Sequence, residues 1–234
     1  MVSLRVRSFA AATPASTILR LELGRAPFAF RAGHTVLLGL HGQPRRKPYS
    51  IAIAPEEARA RGYLEFLIKT DAEGHPGPHL AGVRRGARVD VAGPLGSFIV
   101  PAAAVGRPVL FIAGGAGIAP LRSMLQSALR SRIARRVTVF YSARSPRHFV
   151  YLTELRRLAR QKKIALTLTV TREASPGWRG DRGRITRRQL APLVTDPATV
   201  CFVCGPPALV AEVVRLLRRL GVAARRIRTE KRKT

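Results

Sequence analysis

The chain is short of cysteine, acidic residues, lysine, aromatic rings and long apolar runs, and each shortage excludes something. Two cysteines among 234 residues, Cys201 and Cys204, cannot build a disulfide framework or supply the four thiolates of a cysteine-held iron–sulfur cluster. The longest apolar stretch, Val109 to Leu121, spans only 13 residues and contains Gly114, Gly115, Gly117 and Pro120. A membrane-crossing helix needs about 20 apolar residues, so no span is expected. At the start of the chain Leu4 and Val6 alternate with Arg5 and Arg7, unlike the apolar block of a secretory leader. With neither signal present, a cytoplasmic protein is expected.

The scarcity of acid matters most. Thirteen Asp and Glu face 42 Lys and Arg, a net charge of +29. Only six of the 42 are lysines (Lys47, Lys69, Lys162, Lys163, Lys231 and Lys233). Such a field favours nucleic acid, an anionic membrane or an acidic protein, or it reflects a general bias towards Arg and Ala. The charges are scattered along the chain rather than gathered in a tail. Aromatic residues make up 6%, so few rings lie among them for bases to stack on. Arginine is so common that any one Arg near a site carries little weight.

The apolar fraction of 46% supports a packed core. Residues 1–100 read as short alternating runs: Leu4, Val6 and Phe9, then Ile18 to Leu23, Thr35 to Leu40, Tyr49 to Ile53, Tyr63 to Lys69 and Arg88 to Val91. Gly33, Gly42, Gly62, Gly74 and Gly86 punctuate them, which predicts a six-stranded antiparallel Greek-key barrel. Glu56 to Arg61 is at best one helical turn. After Arg107 apolar runs alternate with helical spacing. Val109–Ala113, Val137–Tyr141, Ile164–Val170 and Thr199–Cys204 read as strands; Pro120–Ile133, Tyr151–Arg160 and Pro207–Leu220 read as helices. This rhythm predicts a doubly wound parallel five-stranded sheet with helices on both faces. Domains of 1–102 and 103–234 are expected, because Pro101, Gly106 and Pro108 break the pattern.

Four segments carry chemistry. Gly114-Gly-Ala-Gly117 joins a buried strand to a helix. Its glycines admit a ligand close to the backbone, and a helix N-terminus offers free N–H groups to a phosphate; a turn that only packs helix on strand is the alternative. Lys47-Pro-Tyr-Ser50 sets a cation, a flat ring and a hydroxyl at a barrel strand. Gly93-Pro-Leu-Gly-Ser-Phe98 is a turn after a strand. Cys201-Phe-Val-Cys-Gly-Pro-Pro207 runs a strand into a tight turn, with Cys204 at its carboxyl end and Cys201 in the core. No second Cys or His pair completes a metal site, and none is expected.

In this order and at these spacings the segments resemble the ferredoxin–NADP⁺ reductase family of flavoprotein oxidoreductases over essentially the whole chain. The resemblance implies an FAD-binding barrel, then an NADP- (or NAD-) binding α/β domain. It implies that Tyr49 stacks on the flavin, that Ser50 reaches its N5 edge, and that Lys47, next to Pro48, replaces the usual phosphate-pairing arginine. Ile68 and Lys69 fall in the same cofactor site. The family's Gly-x-x-Ser diphosphate segment falls on Gly74, His75, Pro76 and Gly77, where the Ser is absent; His75 or His79 is a possible substitute. Gly114, Gly115, Ala116 and Gly117 match the nicotinamide-nucleotide loop, and Cys204, Gly205 and Pro206 match the segment beside the nicotinamide C4. Glu230 matches the acid that closes that site. Thr171 and Arg172 match the Ser-Arg pair that grips a 2′-phosphate, which favours NADPH. An aromatic that often covers the flavin is replaced by Lys231 to Thr234.

The implied activity moves a hydride between NAD(P)H and FAD, with Ser50, Cys204 and Glu230 orienting the rings. Electrons then pass to a separate one-electron carrier, an acidic ferredoxin or flavodoxin. Alternatives are a free flavin or quinone reductase, the NAD(P)H–flavin subunit of a larger complex, or a degenerate fold that binds nucleic acid through its charge.

Overall fold

The computed structural model describes residues 1–24, 28–101, 104–131, 134–172 and 176–231. The chain forms two compact units: Met1–Val100 with Arg122–Ser127, and Pro101–Leu121 with Ala128–Thr234. The expected domain boundary at residues 102 and 103 lies outside the described residues.

The first unit contains β1 (Val2–Thr13), β2 (Ser16–Glu22), β3 (Thr35–Leu40), β4 (Lys47–Ser50), helix α1 (Pro55–Arg61), β5 (Tyr63–Lys69) and β6 (Arg88–Leu95). The strands are hydrogen-bonded in the order β4-β3-β6-β1-β2-β5, and every pair is antiparallel. A bridge between Ile51 and Phe66 joins the two end strands, and the Ala52 amide donates to Glu65 O at 2.8 Å. The sheet thereby closes. Period-two patterning explains its interior: Leu4 and Val6 on β1, Leu19 and Leu21 on β2, and Val89 and Val91 on β6 are all buried in one core with Phe66 and Ile68. Each such burial contributes about 1.5–3 kcal/mol.

One ion pair is sunk into this unit. Glu65, 1% exposed, accepts from Arg122 Nη1 at 2.9 Å and from Arg20 Nε at 2.7 Å. Arg122 Nη1 also donates to Ala52 O, Ser123 Oγ donates to Ile53 O, and the Ala54 amide donates to Gln126 Oε1. Three side chains within about one helical turn, at 122, 123 and 126, thus satisfy backbone groups of residues 52–54, whose polar atoms otherwise carry a desolvation cost.

The second unit contains β7 (Pro108–Gly114), α2 (Ile118–Arg130), β8 (Arg136–Ala143), α3 (Leu152–Arg160), β9 (Ala165–Val170), β10 (Asp181–Arg182), α4 (Arg187–Leu190), β11 (Val200–Gly205), α5 (Pro207–Arg219) and β12 (Ile227–Lys231). The Arg122–Ser127 stretch of α2 belongs to the first unit. The strands lie in the order β10-β9-β8-β7-β11-β12, all parallel. Six strands stand where five were expected and four were located along the sequence. The two edge strands escape sequence reading for physical reasons: β10 has two residues, and β12 reads Ile-Arg-Thr-Glu-Lys with no apolar alternation. Every residue of β7 is buried, so both faces of the central strand are covered. On one face Leu110 and Ile112 pack with Cys201, Val203 and the α5 residues Val210, Val213 and Leu217. Phe111 and Phe202 pair at 5.5 Å between ring centres.

The Glu65 ion pair predicts an unequal response to substitution. Glu65→Gln leaves the buried Arg122 charge uncompensated and is expected to cost about 3–5 kcal/mol, read as a lower urea midpoint. Arg20→Ala, at a side chain 39% exposed, is expected to cost about 1 kcal/mol or less. Equal losses would contradict the assignment of the buried pair.

Candidate functional site

In the second unit the strand order reverses between β7 and β11, since β8 and β9 lie to one side of β7 and β11 and β12 to the other. The carboxyl ends of strands at such a switch point form the ligand crevice of open α/β sheets. Gly114 to Gly117 follow β7, and Gly205 and Pro206 follow Cys204 on β11. The two turns touch. A Cβ on Gly117 would run into the Cys204 carbonyl, and a Cβ on Gly205 would lie 3.1 Å from Gly114 Cα. Glycine is needed at 117 because the β11 backbone occupies the side-chain position. Helix α2 starts one residue later, so the positive end of its dipole lies at this turn. Tyr141 braces the loop: its buried hydroxyl donates to Gly115 O at 3.1 Å and accepts from the Val150 amide at 3.3 Å.

Cys204 is fully buried. Register pairs it with Glu230 on β12, and its thiol donates to Glu230 Oε2 at 3.5 Å. The structure thus brings Gly114–Gly117, Cys204–Pro206 and Glu230 together. Thr171 and Arg172 lie exposed just past β9 at the same edge of the sheet. The Arg172 amide donates to Arg144 O at 3.0 Å, and Thr171 Oγ1 donates to Ala143 O at 3.3 Å. Sequence reading passed over the exposed Arg144, although it too sits immediately past a strand end.

In the first unit Lys47 and Pro48 are exposed, Tyr49 is half-buried and Ser50 is buried beside Thr35, with their hydroxyls 3.2 Å apart. Ile68 belongs to the barrel core; Lys69 next to it is exposed. The expected Gly74–Gly77 quartet is split. Gly74 and His75 belong to a turn around Asp71, which accepts from the His75 amide at 2.7 Å, and Pro76 bridges to Thr70. Gly77 approaches Lys47: a Cβ there would lie 3.7 Å from the Lys47 Nζ. The buried residue at this place is His79, whose Nε2 lies 2.9 Å from the Tyr49 hydroxyl and whose ring stacks on Tyr49 at 5.6 Å. Its Nδ1 is buried with no hydrogen-bond partner among the described residues. Burial first, and the Lys47 charge second, hold its imidazole below the usual histidine range. An orphaned nitrogen, a glycine gap and a lysine suit the anionic part of a nucleotide cofactor. Residues 232–234, part of the segment that replaces the family's aromatic cover, lie outside the described residues.

A closed antiparallel barrel, followed by a parallel sheet with glycine-rich turns at its switch point, is the architecture of a two-domain flavin and nicotinamide oxidoreductase. Family models agree: "Oxidoreductase FAD-binding domain" matches residues 3–99 and "Oxidoreductase NAD-binding domain" matches residues 111–215. The chain is 35% identical over 216 residues to ferredoxin–NADP reductase B of Sorangium cellulosum, covering 87% of this chain and 86% of that protein. It is 30% identical over 218 residues to the reductase subunit of an Amycolatopsis aromatic O-demethylase, covering 91% of this chain but only 64% of that protein. Among solved structures, a ferredoxin NADP⁺ reductase from Neisseria gonorrhoeae with bound FAD and NADP shares the fold, with a TM-score of 0.81 at 19% identity and 98% of each chain covered. The chain belongs to the ferredoxin–NADP⁺ reductase family of flavoproteins. It is an NAD(P)H-dependent reductase with FAD as its flavin cofactor.

The buried thiols predict an alkaline response. Burial pushes the Cys201 thiol up to about 12, whereas an unfolded cysteine ionises near about 8.5. Between these values the unfolded chain has released a proton that the folded chain keeps. The contribution is complete below about pH 8 and is lost as pH rises towards about 12. Melting curves from about pH 8 to about pH 11 are expected to fall less steeply for Cys201→Val than for the parent chain.

Proposed function

We propose that the chain takes a hydride from NADPH onto FAD and delivers the electrons to an acidic one-electron carrier protein, a ferredoxin or a flavodoxin. The observation that carries the nucleotide chemistry is the close approach of Gly117 to the Cys204 carbonyl, which brings the two glycine-containing turns together at the switch point of the sheet. The similarity to the Sorangium reductase and the net charge of +29 support the acceptor.

In this reading Lys47 binds the FAD diphosphate, Tyr49 lies against the flavin and Ser50 directs its hydroxyl to the N5 edge. Pro48, Ile68 and Lys69 contribute main chain. Gly74, His75 and Pro76 form the turn that sets Gly77. Gly114, Gly115, Ala116 and Gly117 receive the nicotinamide dinucleotide's phosphates at the start of α2. Cys204 and Glu230, with Gly205 and Pro206, orient the nicotinamide. Thr171 and Arg172, with Arg144 beside them, hold the 2′-phosphate, for which a guanidinium is well suited. When bound, FAD accepts a hydride and releases electrons singly, so these residues act by alignment rather than as nucleophiles or proton carriers. Two buried cysteines, neither in a disulfide, suit a reducing cytoplasm; among the described residues no helix is long and apolar enough to cross a membrane. A second reading, as the reductase subunit of a larger oxygenase-type system, is favoured by the Amycolatopsis relative.

Anaerobic titration of the visible spectrum tests the cofactor reading. The flavin bands are expected to bleach at low NADPH and to resist NADH, with Arg172→Ala weakening NADPH by about tenfold or more and leaving NADH unchanged. Preference for NADH would retain the reductase and remove the phosphate assignment. A colourless chain that takes up no FAD would overturn the reading. Ionic strength tests the acceptor. Reduction of an acidic ferredoxin is expected to slow markedly between about 10 mM and about 300 mM salt while reduction of a neutral quinone does not; equal responses would remove the carrier protein.

A further inference from the structure

Backbone conformation does not demand a glycine at 77. Its φ of −61° and ψ of 167° are open to any residue. Its surroundings are the informative feature. A Cβ there would lie 3.4 Å from both Nδ1 and Cε1 of His79 and 3.7 Å from Nζ of Lys47. The space left by the missing side chain is therefore bounded by an ammonium on one side and the edge of an imidazole on the other. His79 itself is buried, 2% exposed. Its Nε2 is engaged by the Tyr49 hydroxyl at 2.9 Å, and its Nδ1 is closed off from solvent without a partner among the described residues.

Tautomer chemistry gives this arrangement a direction. A neutral imidazole carries one N–H and one acceptor nitrogen. With the Tyr49 O–H donating to Nε2, the ring proton resides on Nδ1, and the orphan is a donor. Burial and the nearby Lys47 disfavour the charged ring. A buried N–H and an ammonium that converge on an empty space form a site for an anion.

We propose that His79 is a positioning residue for the flavin cofactor: Nδ1–H donates to the diphosphate of FAD beside Lys47 and Gly77, while Nε2 fixes the hydroxyl and hence the ring of Tyr49. One imidazole thereby ties the phosphate end of the cofactor to the ring that lies against its flavin end. The proposal rests on the assignment of Lys47 and Tyr49 to the FAD site. It goes beyond that assignment by naming a residue some 30 positions from Tyr49 that couples the two.

The test compares two flavins on the flavin-stripped full chain, by quenching of flavin fluorescence. FAD has the diphosphate; riboflavin has no phosphate. His79→Phe keeps a ring against Tyr49 and is expected to weaken FAD by about tenfold or more relative to riboflavin. His79→Asn, whose amide reaches the place of Nδ1, is expected to recover most of that affinity, and His79→Gln, whose amide reaches the place of Nε2, is not. Gly77→Ala fills the space with the imidazole intact, in a backbone conformation that alanine accepts, and is expected to show the same FAD-selective loss. If His79→Phe and Gly77→Ala weaken the two flavins equally, or leave both unchanged while the parent chain binds FAD, the proposal is wrong and the flavin reading stands. A parent chain that binds neither flavin overturns both.

Discussion

The nicotinamide half of the molecule depends on one close approach, the backbone of Gly117 against the carbonyl of Cys204. Parallel pairing of β7 with β11 brings the two strand ends level, Ala113 opposite Cys204. The chain must then turn into α2 without a side chain on the inner side. Any Cβ there would push β11 away from β7, widening the crevice and breaking the register that places Cys204 opposite Glu230 on the next strand. The glycine serves packing: where two backbones meet this closely, no side chain can stand between them.

The flavin half depends on electrostatics inside a dry wall. Glu65 accepts from Arg122 and Arg20, and Arg122 also reaches the carbonyl of Ala52. These contacts sit where Ile51 bridges to Phe66 and the sheet closes. Closure places Ser50 and Tyr49 immediately before the joint, so the residues proposed to face the flavin are held by the seam of the barrel. In a chain so rich in arginine, Arg122 is set apart by the buried carboxylate opposite it.

Much of this was legible in the residues, and the exceptions have physical causes. Val109–Ala113 is a continuous apolar run, and Leu4, Val6, Leu19 and Leu21 alternate cleanly, so periodicity reveals them. The two glycine-rich turns and Lys47–Ser50 are local and could be read directly. β12 could not be read, because an edge strand tolerates the exposed Arg228 and Thr229 as readily as apolar residues. The Tyr49–His79 contact joins residues 30 apart, and the Arg122–Glu65 contact residues 57 apart. Neither leaves a mark in any window of sequence. The Gly74–Gly77 segment was recognisable by resemblance, yet Asp71 draws Gly74 and His75 into a turn of their own while Gly77 lies near Lys47.

The first unit is discontinuous in sequence, because Arg122–Ser127 belong with Met1–Val100. During synthesis this has a consequence for timing. When residue 100 leaves the ribosome the barrel strands are complete, but Glu65 still lacks Arg122, and the backbone of residues 52–54 lacks its three partners. Domains ordinarily fold as units from the N-terminus as the chain emerges. Here the first one cannot finish until strand β7 and most of α2, which begin the second, have also been made. Translation therefore delivers the two units as interleaved rather than successive folding problems.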